Sequence, residues 1–300
     1  MTIRDIIIKY SEELKEMSDT PRLDVEIILQ KALGDVDRIY IHINLNKELS
    51  KEQYDLFLEL IKDRLNGRPI AYIVGNREFM GLDFFVKEGV LIPRPDTEPL
   101  VEELIEICKM KNEVDILDIG TGSGAITISL AKYIEKSKLT SFDISDIPLE
   151  VGKKNAISNG VDHKIEFIKS DLFSAIKNKD IKFDIIVSNP PYIPKRDMDT
   201  LHIQVKDYEP YNALEGGEDG LDFYRDITEQ SKDYLRSNGI LAYEVGHDQA
   251  KEVSEIMRNN GYTKIYTKKD IQGIDRVVIG LKLWYNGKLI WYNRWGEKVC

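Results

Sequence analysis

Residues 116–131 read ILDIGTGSGAITISLA. An apolar run broken by one acid ends in three alternate glycines, and an amphipathic stretch follows. Strand, tight turn and helix in that order begin a parallel α/β sheet. Gly120, Gly122 and Gly124 let the backbone turn tightly and approach a ligand where a Cβ would collide. Asp143 ends the next apolar run, 19 residues after Gly124. An acid at that distance accepts hydrogen bonds from ribose hydroxyls. In open α/β sheets ligands bind outside the carboxyl ends of the strands, where both groups fall.

Outward from this stretch the alternation repeats. VDILDIG, LTSFDIS, KIEFIKSD, FDIIVSN, GILAYEVG, YTKIYTKK and DRVVIGL read as strands between residues 114 and 281. Amphipathic segments at 123–135, 146–159, 219–237 and 247–260 lie between most of them. The predicted fold class is α/β, a seven-stranded, doubly wound, Rossmann-like sheet with helices on both faces.

Upstream the period is helical. Ile3, Ile6, Ile7, Tyr10, Leu14 and Met17 recur at helix spacing. A second helix is expected from Thr20 as N-cap, with Pro21 in its first turn and Gly34 past its end. In a third, Ser50 and Gln53 form a capping box, Tyr54, Phe57, Leu58, Ile61 and Leu65 make one stripe, and Gly67 and Pro69 stop it. Helices this short and narrowly striped pack as a small α-helical bundle. Residues 76–93 place aromatic and β-branched residues around Gly81 and Gly89, which predicts a β-hairpin joining two domains. A helix follows from about Asp96, with Leu100, Val101, Leu104, Ile105 and Cys108 inward. The expected divisions are a helical domain over 1–75, a hairpin linker over 76–95, the sheet domain over 96–282 and an extra tail over 283–300. That tail holds all three tryptophans, Trp284, Trp291 and Trp295. Its Asn286-Gly287 pair predicts a second hairpin, and an oligomer contact is the other reading of it.

The formal net charge is −10, from 52 acidic and 42 basic residues. This balance disfavours a broad electrostatic grip on nucleic acid, which needs clustered Lys and Arg, although a local basic patch is compatible with it. Neither cysteine, Cys108 or Cys300, has a Cys or His at metal-ligand spacing, so no metal is expected. Cys108 reads as a small buried hydrophobe. No apolar run approaches the roughly 20 residues that cross a bilayer. The N-terminus turns acidic too early for a signal peptide, and a reducing cytoplasm is the expected compartment.

The glycine loop alone leaves the ligand open. Gly120, Gly122 and Ala125 also fit the dinucleotide pattern, so NAD and S-adenosylmethionine (SAM) stand about level. Asp171 and Leu172, after the third strand, offer a polar group for an adenine amine and an apolar one for the ring; a helix N-cap is the plainer reading of Asp171. SNPPYIP, residues 188–194, decides. Proline fixes φ and has no N–H, and Asn189 is held out of the helical region by the proline after it. The stretch is stiff and presents acceptors without donors. It suits a substrate NH₂, which brings two donors. Tyr192 is placed to cover the planar group that carries the NH₂. An amide nitrogen is a poor nucleophile because its lone pair is delocalised. Holding both N–H bonds pushes it toward a tetrahedral shape and aims the lone pair at an electrophilic methyl. NAD has no use for such a site, so the combination favours SAM.

RPIAYIVGNREFMGLDFFV, VLIPRPDTEPLVEE, ILDIGTGSGAI, SNPPYIP and EPYNALEGGEDGLDFYRDI together resemble the HemK/PrmC family of class I SAM-dependent methyltransferases. The resemblance spans roughly residues 1–281. It implies N5-methylation of the side-chain amide of a glutamine in the Gly-Gly-Gln loop of class 1 peptide chain release factors. It also implies S-adenosylhomocysteine as product, a helical substrate-recognition domain and a seven-stranded methyltransferase domain. Carried over by position, Gly120, Thr121, Gly122, Ser123, Gly124 and Asp143 would bind SAM. Asp118 would orient the loop and the cofactor amino group, and Asp171 and Leu172 would stand at the adenine, where some relatives carry Trp. Asn189 would touch cofactor and glutamine, with Pro190, Pro191 and Tyr192 completing the site and Arg94 bordering its entrance. No direct nucleic-acid or membrane partner is expected, and a monomer is. A ribosomal-protein glutamine is the nearest rival substrate. Nucleic-acid amines are disfavoured by the charge and the lack of a basic recognition domain. An inactive SAM-binding protein is disfavoured by the intact Asn189–Tyr192 set. The tail after Leu281 has no counterpart in the family pattern.

Overall fold

The protein is described from a computed structural model. It covers residues 1–109 and 111–282, together with the backbone of the short pairs 284–285, 288–289, 291–292 and 298–299. The chain forms two compact units. One is Met1–Asn76 with Val86–Glu88 and Leu201–Glu209; the other is Arg77–Phe85, Gly89–Thr200 and Pro210–Cys300.

The first unit is helical. Helices α1 (Ile3–Glu13), α2 (Pro21–Ala32), α3 (Arg38–Ile43), α4 (Lys51–Leu65) and α5 (Ile70–Val74) follow in order. Ile3, Ile6, Ile7 and Tyr10 meet Val25, Ile28, Leu29, Phe57 and Ile61 in one core. The Ser50–Gln53 capping box forms as expected, each backbone N–H donating to the other residue's side chain at 3.2 and 3.0 Å. Thr20 differs from expectation. Its φ is −131° and its ψ 56°, and its hydroxyl donates to Asp24 Oδ1 at 3.5 Å instead of accepting a cap bond; Pro21 does open the helix. Inside the bundle, the Arg64 Nε donates to Asp24 at 2.7 Å, with side chains only 2% and 5% exposed. Both are held there because α2 and α4 pack together and each charge needs its partner.

The second unit opens with β1 (Asn76–Phe79) and β2 (Leu82–Phe85), a two-stranded sheet turned at Met80-Gly81, both with positive φ. Phe79 and Phe84 are buried in the core of this unit with Leu100 and Leu104. The predicted linker hairpin is thus part of the sheet unit's packing.

Helix α6 (Glu98–Cys108) precedes β3 (Val114–Ile119), α7 (Ala125–Tyr133), β4 (Ser137–Asp143), α8 (Asp146–Ser158), β5 (Ile165–Lys169) and β6 (Phe183–Ser188). The short α9 (Ile203–Lys206) belongs to the helical unit. Then come α10 (Asp222–Ser231), β7 (Leu235–Glu244), α11 (Ala250–Asn259), β8 (Tyr262–Lys269) and β9 (Asp275–Lys282). The seven strands lie in the order β5-β4-β3-β6-β7-β9-β8. The first five are parallel, and β9 runs antiparallel to both β7 and β8.

Central strands of such a sheet are buried on both faces and read as apolar runs. In β3, Val114 and Ile116 enter the core beneath α6 and α7, while Leu117 and Ile119 enter the core beneath α10 and α11. The helix expected over 219–237 is shorter, because Leu235 already pairs with Phe183 and the chain is drawn into β7. Cys108 is buried, and burial pushes its thiol up to about 11. Trp284 pairs with Leu289 and Tyr285 with Lys288, antiparallel. The expected Asn286-Gly287 turn, Trp295 and Cys300 lie outside the described residues.

Among the described residues, no helix is long and apolar enough to cross a membrane.

Candidate functional site

At the carboxyl ends of β3, β4, β5 and β6 the second unit carries a cavity of about 320 Å³. The wall includes Gly120, Thr121, Gly122 and Ser123 from the glycine loop and Asp143 from β4. Asp171 and Leu172 follow β5, Asn189, Pro190 and Pro191 follow β6, and Arg94 and Thr97 complete it. Residues 120, 143, 172 and 189 therefore meet at one place because parallel strands deliver their ends to the same edge, and Arg94 reaches it from the turn before α6.

The loop is tied down from both sides. The amides of Gly120 and Thr121 donate to the Phe142 carbonyl at 2.8 and 2.9 Å. Asp143 accepts from the Gly122 amide at 3.1 Å and from the Ser145 amide at 2.9 Å. Its carboxyl is pushed above the usual range by burial, against those backbone donors. Each oxygen retains an acceptor site for a further hydroxyl. At Gly122 the φ is 54° and an added Cβ would stand in open space on the cavity wall. Gly124 is different. An added Cβ there would come 2.7 Å from Ile128 Cδ1 and 3.3 Å from the Gly152 Cα. Of the three glycines, it is the one that lets α7 and α8 approach rather than one that lines the cavity.

Asp118 lies beneath the loop, 1% exposed. Its Oδ2 accepts from the Thr127 hydroxyl, while its Oδ1 is buried with no partner among the described residues. Burial, and then the Asp143 charge, push it up to about 7 against the Thr127 and Ser141 hydroxyls. Asp118 is not on the cavity wall; it ties β3 to α7 through Thr127 beneath the glycine loop.

Asn189 begins the rigid stretch, half-buried, and its backbone oxygen would lie 3.8 Å from a Cβ on Gly120. The two motifs therefore abut. Beyond Pro190 the acceptors turn away. A Cβ on Gly216 would come 2.6 Å from the Pro191 carbonyl oxygen, and the Tyr192 carbonyl accepts from Gln249 Nε2 at 2.9 Å. The Tyr192 side chain is not on the cavity wall. It packs on the core under α10 and α11, where burial drives its phenol far above the usual range. Leu172 has a φ of 45° and lines the cavity wall. A single 3-10 turn, Ser174–Ile176, follows with Phe173 at its N-cap position and no side-chain cap bond, so Asp171 does not cap it.

Two family models match the chain, the PrmC N-terminal domain over residues 5–75 and the methyltransferase small domain over 97–205. The chain is 43% identical over 282 residues to the release factor glutamine methyltransferase of Clostridium acetobutylicum, covering 94% of this chain and 99% of that one. The chain belongs to this family. The Aquifex aeolicus release factor glutamine methyltransferase is 39% identical over 274 residues, covering 91% and 95% of the two chains. A methyltransferase structure from Pyrococcus furiosus shares the fold at a TM-score of 0.51 and 20% identity, covering 69% of this chain and 91% of that one.

Release factor glutamine methyltransferases are SAM-dependent enzymes, and this member carries polar groups that motif reading did not single out. Glu244, at the end of β7, is 1% exposed, and Thr97 is 4% exposed. The Asn189 Nδ2 donates to Thr97 Oγ1 at 3.4 Å. Arg276 is held by Asp96 at 2.8 Å and Asp270 at 3.1 Å. The one local signal for Glu244 is a lone acid in the apolar run ILAYEVG.

Proposed function

We propose that this chain transfers the methyl group of SAM to the side-chain amide nitrogen of a glutamine in class 1 peptide chain release factors, within their Gly-Gly-Gln loop. The observation that carries the reading is the shared cavity wall. The glycine loop with Asp143, and Asn189 with Pro190, line one space. The relatives at 43% and 39% identity, named release factor glutamine methyltransferases, support the substrate class.

Bound SAM supplies an electrophilic methyl on a sulfonium. Asp143 accepts the ribose hydroxyls while holding the Gly122 amide. Asp118, buried beneath the loop, orients it through Thr127. Leu172 offers an apolar face to the adenine. Asn189 Oδ1 and the Pro190 carbonyl take the two N–H bonds of the substrate amide. They localise its lone pair and aim it along the line of transfer. As the nitrogen–methyl bond forms, the methyl–sulfur bond would break with its electron pair going to sulfur, leaving S-adenosylhomocysteine; the nitrogen becomes acidic in the same step, so one proton leaves to solvent without a strong base beforehand. Arg94 borders the entrance, and the helical domain recognises the protein substrate. The chain acts as a monomer in the cytoplasm and needs no metal.

The test is methyl transfer from labelled SAM to a purified class 1 release factor, with the glutamine of its Gly-Gly-Gln loop changed to alanine as control. Label on the wild-type factor alone is expected. Equal label on both would move the target residue, and label on neither would move the substrate.

A further inference from the structure

Asn189 can serve a substrate NH₂ only if its own amide faces the right way. The two ends of an asparagine amide have the same shape, so the partners behind it decide which end faces the cavity. Those partners come from two other elements. Ser188 on β6 is in register with Tyr243 on β7, which brings Asn189 beside Glu244 where the strands end. Thr97 reaches the same point from the turn before α6 and accepts from Asn189 Nδ2 at 3.4 Å. Glu244 is almost wholly buried, and its Oε2 has no hydrogen-bond partner among the described residues.

We propose that Glu244, acting with the Thr97 hydroxyl, is a positioning residue that sets the orientation of the Asn189 amide and so turns Oδ1 toward the substrate. The inference rests on the glutamine-amide reading of the site. A threonine hydroxyl has one proton and two lone pairs. When that proton points to the carboxylate, a lone pair is left for Asn189 Nδ2. With Thr97 and the carboxylate behind it, the Asn189 NH₂ has acceptors for both of its protons. The flipped amide would set its oxygen against a lone pair and a negative charge.

The surroundings of Glu244 on balance oppose its ionisation. Burial pushes Glu244 up to about 7, while the Thr97 hydroxyl, the Arg276 charge and the Asn189 amide pull it down. Asp96, from the turn before α6, opposes ionisation. Tyr192 and Tyr224, neutral at these pH values, complete the titratable groups that sense it. An unpartnered buried oxygen is expensive to keep, and a purely structural role would be met by an apolar side chain.

The orientation is read directly by NMR of the side-chain amide of Asn189 in the full chain, its signal assigned by its loss in Asn189→Ala. The wild type is expected to show a pair of amide protons protected from exchange, whose shifts titrate near pH 7. Both properties should disappear in Glu244→Gln, with Thr97→Val as a second isosteric variant. In methyl transfer, each variant is expected to lower kcat about 10–100-fold at unchanged SAM affinity. In the Asn189→Ala background, the same changes are expected to have no further effect. A wild-type amide that exchanges freely and does not titrate would overturn the proposal, whether or not release factor is the substrate. So would losses that multiply in the double variants. A wild type that fails to methylate release factor while its Asn189 amide behaves as described overturns only the substrate reading.

Discussion

Asp143 and Gly122 are joined by a 3.1 Å hydrogen bond from the glycine amide to the carboxylate, across the cavity's floor from β4 to the loop after β3. The acid that would hold a ribose therefore also holds the loop. Asp143→Ala is expected to weaken SAM binding at least tenfold, as removal of hydrogen bonds to a charged acceptor does at about 1.5–3 kcal/mol each. Asp143→Asn would not rescue it fully, because an amide NH₂ would face the donors of Gly122 and Ser145. Calorimetry with SAM decides; unchanged affinity in the alanine variant refutes the assignment.

Turnover and cofactor binding should separate at Asn189. It stands on the cavity wall with the glycine loop, but its side chain reaches toward Thr97 rather than into that loop. Asn189→Ala is expected to keep SAM affinity within a few-fold and lose most of its turnover, about 100-fold or more, since positioning is the main catalytic term for a weak nucleophile. Near-normal turnover would remove the amide-acceptor mechanism.

Two glycines of one loop should fail in different ways. Gly122→Ala puts a methyl group into open cavity and should reduce SAM affinity, with a backbone cost of about 1 kcal/mol at its φ of 54°. Gly124→Ala meets Ile128 and the Gly152 backbone at a φ of 84°. It should destabilise the fold by about 1–3 kcal/mol. Denaturant titration alongside SAM calorimetry distinguishes them; the same profile for both would refute the assignment.

The buried acid under the loop gives a pH signature. Asp118 ionises at about 7 when folded, well above its ordinary value of 3.8. Between these values the folded state holds a proton that the unfolded chain has released, so this group's contribution to stability falls as pH rises from about 4 to about 7. Below that window both states are protonated, and above it the penalty is complete, at most about 4 kcal/mol. Asp118→Asn should remove this part of the slope in the SAM-free protein. Unfolding curves at pH 5 and pH 8 that shift in parallel for wild type and variant would contradict the burial argument.

Stability of the helical unit should depend on one ion pair. Arg64 and Asp24 are 2.7 Å apart and almost fully buried. Arg64→Ala leaves a buried carboxylate without its cation and is expected to cost about 3–5 kcal/mol. A paired change to apolar residues of similar volume should recover much of that loss, because two desolvated charges are removed together. Single and double variants in a thermal or urea titration test this; additive losses would count against it.

Much of the molecule could be read along the chain. The seven strands follow from apolar runs that a sheet covered on both faces requires, and the capping box at Ser50 follows from a local rule. The glycine loop, Asp143, Leu172 and Asn189 are legible because each lies at or shortly past a strand end, and a parallel sheet brings such ends to one edge. Periodicity could not say which glycine faces the cavity and which packs a helix. Gly122 and Gly124 look alike in sequence and differ only in what stands opposite them. Nor could it place the Tyr192 ring, which the prolines direct into the core. The partners of Asn189 are 92 residues before it, at Thr97, and in the next strand over, at Glu244. Local sequence determined the elements and the motif that ends β6. Only tertiary packing, which sets strand register and burial over long separations, decided what lies behind that motif and how strongly a buried acid there is charged.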